Sequence, residues 1–218
     1  IRDRDTTHSK SVLILGAGGH GQVVAQAVLA SGRSVLGFLD DDKEKLGQTV
    51  EGFNILGDSN DAPDLLSQND ASLIVAIGDN QKRHLKLFSL LNANLELTTV
   101  IHPSAVVAPN TLIGLGTVIM PLAVVNTGAE IAQGVIVNSS SVIEHNVKVG
   151  VCAHISPRAV VAGDSVVADR VWVGAGAIIK EGLHLGTDAI VGAGAVVLED
   201  VALEDTVVGI PAKSIRSS

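Results

Sequence analysis

The sequence predicts a chain in two parts, a short α/β domain followed by a parallel β-solenoid. Two observations predict the solenoid. Every sixth residue from Ile101 to Leu203 is Ile, Val or Leu, 18 positions without a slip of register. The residues four further on, Ala105 through Val207, are mostly small or β-branched. A fixed period of six marks a coil whose flat sides each send one aliphatic side chain to a shared axis. The third observation is upstream. Between residue 11 and about residue 98, short apolar runs alternate with helical patterns, which implies a parallel sheet with right-handed crossovers.

Composition agrees with a narrow solenoid core. Hydrophobic residues make up 46% of 218, but aromatics only 2%, with no Tyr. The interior is therefore built from Val, Ile, Leu and Ala. A net charge of −8 argues against nucleic acid and anionic membrane surfaces as partners. The single cysteine, Cys152, excludes an internal disulfide framework and a Cys-based zinc site. No apolar run approaches the ~18–20 residues needed to span a bilayer, and no signal peptide is visible, so a cytoplasmic setting is expected. The chain begins at Ile1 without Met, and the charged stretch 1–10 reads as a tail or linker.

In the α/β part, Ser11–Leu15 reads as a buried strand ending at Gly16-Ala17-Gly18-Gly19-His20-Gly21, with a helix over Gln22–Ala30. Val35–Leu39 is a second strand, ending at Asp40-Asp41-Asp42. A short helix is expected over Ala62–Ser67, a third strand over Ser72–Ile77, and a second good helix over Gln81–Leu91 with Leu85, Phe88 and Leu91 at helical spacing. Gly16, Gly18 and Gly21 satisfy G-x-G-x-x-G between strand and helix, where backbone N–H groups can meet an anion. Asp40 sits where a carboxylate could meet a ribose hydroxyl. Gly78-Asp79-Asn80 ends the third strand on the same edge. Fewer than 90 residues make only half of a dinucleotide fold, a half-Rossmann unit. That favours a mononucleotide or nucleotide sugar over NAD; a ligand-free tight turn is the remaining alternative.

In the solenoid, three hexapeptides make one coil, residues 18 apart stack, and 18 hexapeptides give about six coils. No long loop interrupts it, so a site must lie on the flat faces or between copies. Of seven histidines, only His145 and His154 fall near each other along the coil, half a coil apart and both outward. His145 follows Glu144, and a neutral imidazole with an acidic neighbour is a ready general base. Some solenoids of this kind hold zinc on three histidines, but His145, His154 and His184 fall in three different columns, so no metal is expected.

Several motifs together carry a resemblance. Gly16-Ala17-Gly18-Gly19-His20-Gly21, Phe38-Leu39-Asp40-Asp41, Ala76-Ile77-Gly78-Asp79-Asn80 with Arg83, Ile101-His102-Pro103-Ser104-Ala105, Val142-Ile143-Glu144-His145 and the ending Gly209-Ile210-Pro211-Ala212-Lys213 occur in that order. Residues 11–215 resemble the hexapeptide-repeat acetyltransferases that act on nucleotide-linked 4-amino sugars, of the type that makes UDP-N,N′-diacetylbacillosamine for protein or surface glycans. Sialic-acid O-acetyltransferases are related. The resemblance implies domains at 11–98 (nucleotide-sugar binding) and 99–218 (a left-handed β-helix), a homotrimer, and acetyl-CoA as co-substrate between adjacent solenoids. It implies His145 as general base, with Glu144 and Asn146 beside it. It places His154, Ala175 and Ala193 on acetyl-CoA, and Gly18, Gly19, His20, Asp40, Asp41 and Gly78 on the nucleotide sugar. Some relatives are fused to a membrane phospho-sugar transferase, and residues 1–10 would suit such a linker. The alternatives are O-acetylation of a sialic-acid-type hydroxyl and a non-catalytic nucleotide-sugar-binding trimer. One departure stands out: relatives carry an acid directly after the base, and this chain has Asn146. Trp172, 18 residues after His154, should stack beside it and pack on the pantetheine or a subunit interface.

Overall fold

The computed structural model describes residues 10–215; the expected tail lies outside these except for Lys10, whose ammonium pairs with Asp70 and Glu96 at 3.1 and 2.8 Å. Strands β1 (Ser11–Leu15), β2 (Val35–Leu39), β3 (Thr49–Val50), β4 (Phe53–Gly57) and β5 (Ala71–Val75) form one sheet in the order β3-β4-β2-β1-β5. All neighbours are parallel except β3 against β4. Helices α1 (Gly19–Ala30), α2 (Ala62–Asn69) and α3 (Asn80–Asn92) supply the crossovers.

Three differences from the sequence reading have physical causes. Helix α1 starts three residues earlier than expected, because the glycines that lower helix propensity also form its open first turn. The β3–β4 hairpin was not expected. Its two-residue turn, Glu51-Gly52, has φ of +51° and +81°, the geometry hairpins favour, but Glu is an uncommon occupant of that conformation. In α3 the packed face is Arg83, Leu87 and Leu90, whereas Leu85 and Phe88 are exposed.

From Val100 onward the chain winds as a left-handed parallel β-helix. Two-residue strands stack every 18 residues into three flat faces: a first face beginning at Val100–Ile101, a second at Val106–Val107 and a third at Leu112–Ile113. The second face has six strands, which gives six coils. The aliphatic positions from Ile119 to Val197 are all buried in one core, as are their small companions from Ala123 to Ala195 other than the partly buried Leu183. At the open ends, Ile101 and Leu203 are exposed. From Ile113 to Val191, three residues past each aliphatic position the backbone turns with positive φ, as at Ser140, Asn146, Asp164 and Gly182. Asn, Asp and Gly tolerate that conformation best.

The α/β layer is clamped to the solenoid. Val100, Val118, Met120 and Ile136 of the first face share a core with Val12, Val24 and Phe38. Leu87 of α3 packs where the coil has Gly116 and Gly134; a Cβ on either would lie 2.9 or 2.7 Å from its methyls. Arg83, 1% exposed, donates to the carbonyls of Gly134 (2.8 Å), Ile77 (2.8 Å), Gly78 (3.0 Å) and Cys152 (2.6 Å), and to Asn80 Oδ1 (2.7 Å). Its buried charge is met by carbonyl dipoles from both parts of the chain. Desolvation lowers its pKa to about 10, so it stays cationic at neutral pH.

Candidate active site

A cleft of about 710 Å³ opens at the N-terminus of α1 and is lined by Gly18, Gly19, His20, Asp40, Asp41 and Gly78. All six residues expected at a nucleotide-sugar pocket thus converge, although they span 60 positions of sequence. The glycines divide the labour. Gly21 and Gly16 are needed for packing: a Cβ on Gly21 would fall 1.9 Å from the Gly16 carbonyl oxygen, and one on Gly16 2.7 Å from that of Ala76. Gly18 and Gly19 have nothing within 4 Å of a built Cβ, so their missing side chains leave the cleft open. Gly18 caps α1 without a side-chain hydrogen bond, and the first-turn N–H groups face an anion position.

The two aspartates brace this loop. Asp40 Oδ2 accepts from the Ala17 N–H and from Lys45 Nζ, both at 2.9 Å, and Oδ1 accepts from the Asp42 N–H at 3.0 Å. Burial opposes the Asp40 charge, but these donors outweigh it and hold the carboxyl below its usual range. Asp41 accepts from Lys86 at 2.7 Å and from the Ser59 N–H at 2.9 Å, with the same net direction. His20 Nε2 is buried without a protein partner, and burial followed by the nearby Arg83 charge lowers its pKa to about 4. It is a neutral imidazole at neutral pH, with one buried ring nitrogen left unpartnered. Lys82 also lines the cleft, together with Lys45 and Lys86, which pair with Asp40 and Asp41; the motifs alone did not point to these lysines.

Gly78 also lines a second cleft of about 610 Å³, with Asp79, Asn80, His154, Arg170 and Trp172. Here α3 meets the first face of the solenoid. The stacking expected from sequence counting is present: His154 and Trp172 are paired in register, with ring centroids 6.3 Å apart and planes 6° from parallel. Trp172 donates from Nε1 to Ser156 Oγ at 2.8 Å. His154 Nε2 lies 3.0 Å from Asn138 Nδ2, so the ring nitrogen accepts. Burial, then Arg83 and His20, push the His154 pKa down to about 3. Ala175 and Ala193 are exposed in two stacked turns at the corner between the first and second faces, joined by a hydrogen bond from the Gly194 N–H to the Ala175 carbonyl at 2.8 Å.

Glu144, His145 and Asn146 lie elsewhere. They form a turn between the second face (Val142–Ile143) and the third (Lys148–Val149). Within one copy, His145 and His154 therefore sit on different sides of the prism at the same coil level. Glu144 accepts from the His145 backbone N–H at 3.3 Å and does not meet the ring. The imidazole lies over Gly163 of the next coil, where a Cβ would be 2.4 Å from Cε1. His145 Nδ1 is 3.4 Å from Asn146 Nδ2 and 3.8 Å from Asp164 Oδ2, and Asn146 Nδ2 donates to Asp164 Oδ1 at 2.9 Å. Among the described residues, no three His, Cys, Asp or Glu side chains are placed to hold a metal ion. No helix among them is long and apolar enough to cross a membrane.

Residues 11–89 match the family described as PglD N-terminal domain. The whole architecture matches PerB from Caulobacter crescentus in complex with CoA and GDP-perosamine, at 34% identity and a TM-score of 0.88, over 94% of this chain and 97% of that one. The chain belongs to the nucleotide-amino-sugar N-acetyltransferases. The acetyltransferase domain of PglB from Neisseria gonorrhoeae FA1090 is similar at 33% identity and a TM-score of 0.88, over 95% of this chain and 100% of that one. That domain is also known in complex with acetyl coenzyme A. A 114-residue segment is 35% identical to UDP-N-acetylbacillosamine N-acetyltransferase of Bacillus subtilis (strain 168), and it spans about half of each protein, 51% of this chain and 51% of that one. The C. crescentus enzyme has further been solved with a histidine replaced by Asn or by Ala, each in complex with CoA and GDP-perosamine.

Within this acetyltransferase family, the chain presents a cleft at the α1 N-terminus, a second cleft at His154, and a histidine on a distant corner. Sequence reasoning missed Gly163, Asp164 and the three lysines. Counting by 18 was the available signal for the first two, since it takes His145 to Gly163 and Asn146 to Asp164. The lysines carried no signal, because their convergence depends on how α3 packs.

Proposed function

We propose that the protein transfers the acetyl group of acetyl-CoA to the 4-amino group of a UDP-linked amino sugar, with His145 as general base, in a homotrimer. The observation that carries this reading is Gly78, which lines both clefts. A nucleotide held at the α1 N-terminus extends its sugar past Gly78 towards His154 and Trp172. The diphosphate suits the first-turn N–H groups and Lys82, which offer fixed dipoles and charge to an anion.

The second face supports the trimer. Its outward side chains are Val106, Val124, Val142, Val160, Ile178 and Val196, an aliphatic stripe along six coils. The first face is partly covered by the α/β layer, and the third alternates Leu112, Glu130, Lys148, Val166 and His184. Three copies turning their second faces to a common axis set one copy's first–second edge against the next copy's second–third edge. That contact brings His145 of one copy to the seam bordered by His154 of its neighbour, with the neighbour's Ala175 and Ala193 following one and two coils further along it. Acetyl-CoA lies along that seam, with exposed alanines and glycines allowing close backbone approach.

The chemistry then balances without a metal. The neutral amine attacks the thioester carbonyl carbon, forming the C–N bond. His145 takes one amine proton, the C–S bond breaks, and the imidazolium returns the proton to the CoA thiolate. The neutral His154, a hydrogen-bond partner of Asn138, belongs to the groove and stays uncharged. The experiment is thiol release from acetyl-CoA with UDP- and GDP-linked 4-amino sugars and a sialic acid as acceptors. Turnover with the amino sugars supports the reading; turnover only with the hydroxyl acceptor replaces it with O-acetylation.

A further inference from the structure

We propose that Asp164 is the positioning carboxylate of His145, taking from one coil away the role that an acid adjacent in sequence cannot play when that residue is Asn146. The proposal rests on His145 being the base. A base acting through Nε2 carries its ring proton on Nδ1, and that proton needs an acceptor. Asn146 turns its NH₂ group towards Nδ1 and so offers none; its orientation is fixed by donation to Asp164 Oδ1 at 2.9 Å. Asp164 Oδ2 faces Nδ1 at 3.8 Å, an ion-pair separation that shortens as the ring gains charge. Glu144 is committed to the backbone N–H of His145. The other charged side chains on the stacked turns, Lys180 and Glu181, lie one coil beyond Asp164.

The arrangement is a relay of position. Asn146 holds Asp164, and Asp164 holds the ring tautomer and steadies the imidazolium formed when the amine loses its proton. The two residues stack because 146 and 164 differ by one coil, and both occupy the left-handed turn position, with φ of +58° and +60°. Exchanging amide and acid between the two turns therefore keeps a carboxylate beside His145 without changing either backbone.

The test compares the unaltered protein, His145→Ala, Asp164→Asn and the double exchange Asn146→Asp/Asp164→Asn. Asp164→Asn should lower kcat at least about 100-fold, short of the roughly 10⁴-fold that loss of a buried tautomer-fixing acid causes elsewhere, with KM for both substrates within about twofold. The double exchange should recover at least about tenfold of the lost kcat. An Asp164→Asn enzyme with unchanged kcat overturns the proposal, as does a loss that the double exchange does not relieve. If instead His145→Ala retains full activity, the assignment of the base fails and this proposal with it.

Discussion

Gly163 forms the floor beneath the imidazole of His145. A side chain there would place Cβ 2.4 and 2.5 Å from Cε1 and Nε2, inside the ring's own volume. The position is read as a plain solenoid turn in sequence, yet it sets where the base can stand. Gly163→Ala should therefore displace the imidazole while leaving the coil intact. We expect a fall in kcat of about 10²–10⁴, the range for losing a general base. Circular dichroism and the mass of the protein in solution should be unchanged. Full activity in Gly163→Ala would show that the ring works from another rotamer.

Arg83 should matter for stability more than any other single polar residue. Its guanidinium ties Ile77 and Gly78 at the edge of both clefts to Gly134 and Cys152 of the solenoid. Arg83→Met leaves several buried carbonyls without donors, each costing about 1–3 kcal/mol. Denaturant unfolding should show a loss above about 3 kcal/mol. A loss below about 1 kcal/mol would mean that apolar packing alone holds the two parts together.

Stability should also fall on mild acidification. His154 and His20 have folded pKa values of about 3 and about 4, below the ordinary 6.5. Below pH 6.5 the unfolded chain takes up protons that these buried rings refuse, so their contribution is complete above pH 6.5 and is lost as pH falls towards 4. Each ring contributes a slope of up to about 1.4 kcal/mol per pH unit. Between pH 6.5 and 5 the carboxylates stay ionised, which isolates the effect. Melting temperature should drop across that window, and replacing both histidines by Asn should flatten it.

Much of the fold was legible because the solenoid repeats one physical constraint. A residue at the axis must be aliphatic, so period alone located the core from Ile119 to Val197, and counting by 18 paired Trp172 with His154. The glycine turn was legible for a similar reason: Gly18 and Gly19 leave space, and Gly16 and Gly21 allow close packing. The hairpin at Thr49–Gly57 was not legible, since Glu51 hides its turn. Nor was the packed face of α3, because a fully buried Arg83 reads in sequence as a solvated residue. The separation of His145 from His154 was legible, since nine residues are half a coil and put the two in different columns; which corner and which face they occupy needed the structure.

That separation predicts complementation between subunits. His145→Ala and a groove-blocking Ala193→Trp should each be inactive alone. Mixed trimers bring an intact His145 beside an intact groove at about a quarter of their seams if subunits associate at random. Thiol release from co-refolded mixtures should rise accordingly. Mixtures as inactive as their parents would place both halves of the site in one copy.

The central claim is that His145 is the base of an acetyl transfer to a nucleotide-linked amine. Single-turnover transfer from acetyl-CoA by His145→Ala, measured beside its binding of CoA and nucleotide sugar, addresses it most directly. The account predicts that both ligands bind within about twofold of the unaltered protein while the transfer step slows at least about 100-fold. Transfer at the unaltered rate would contradict it.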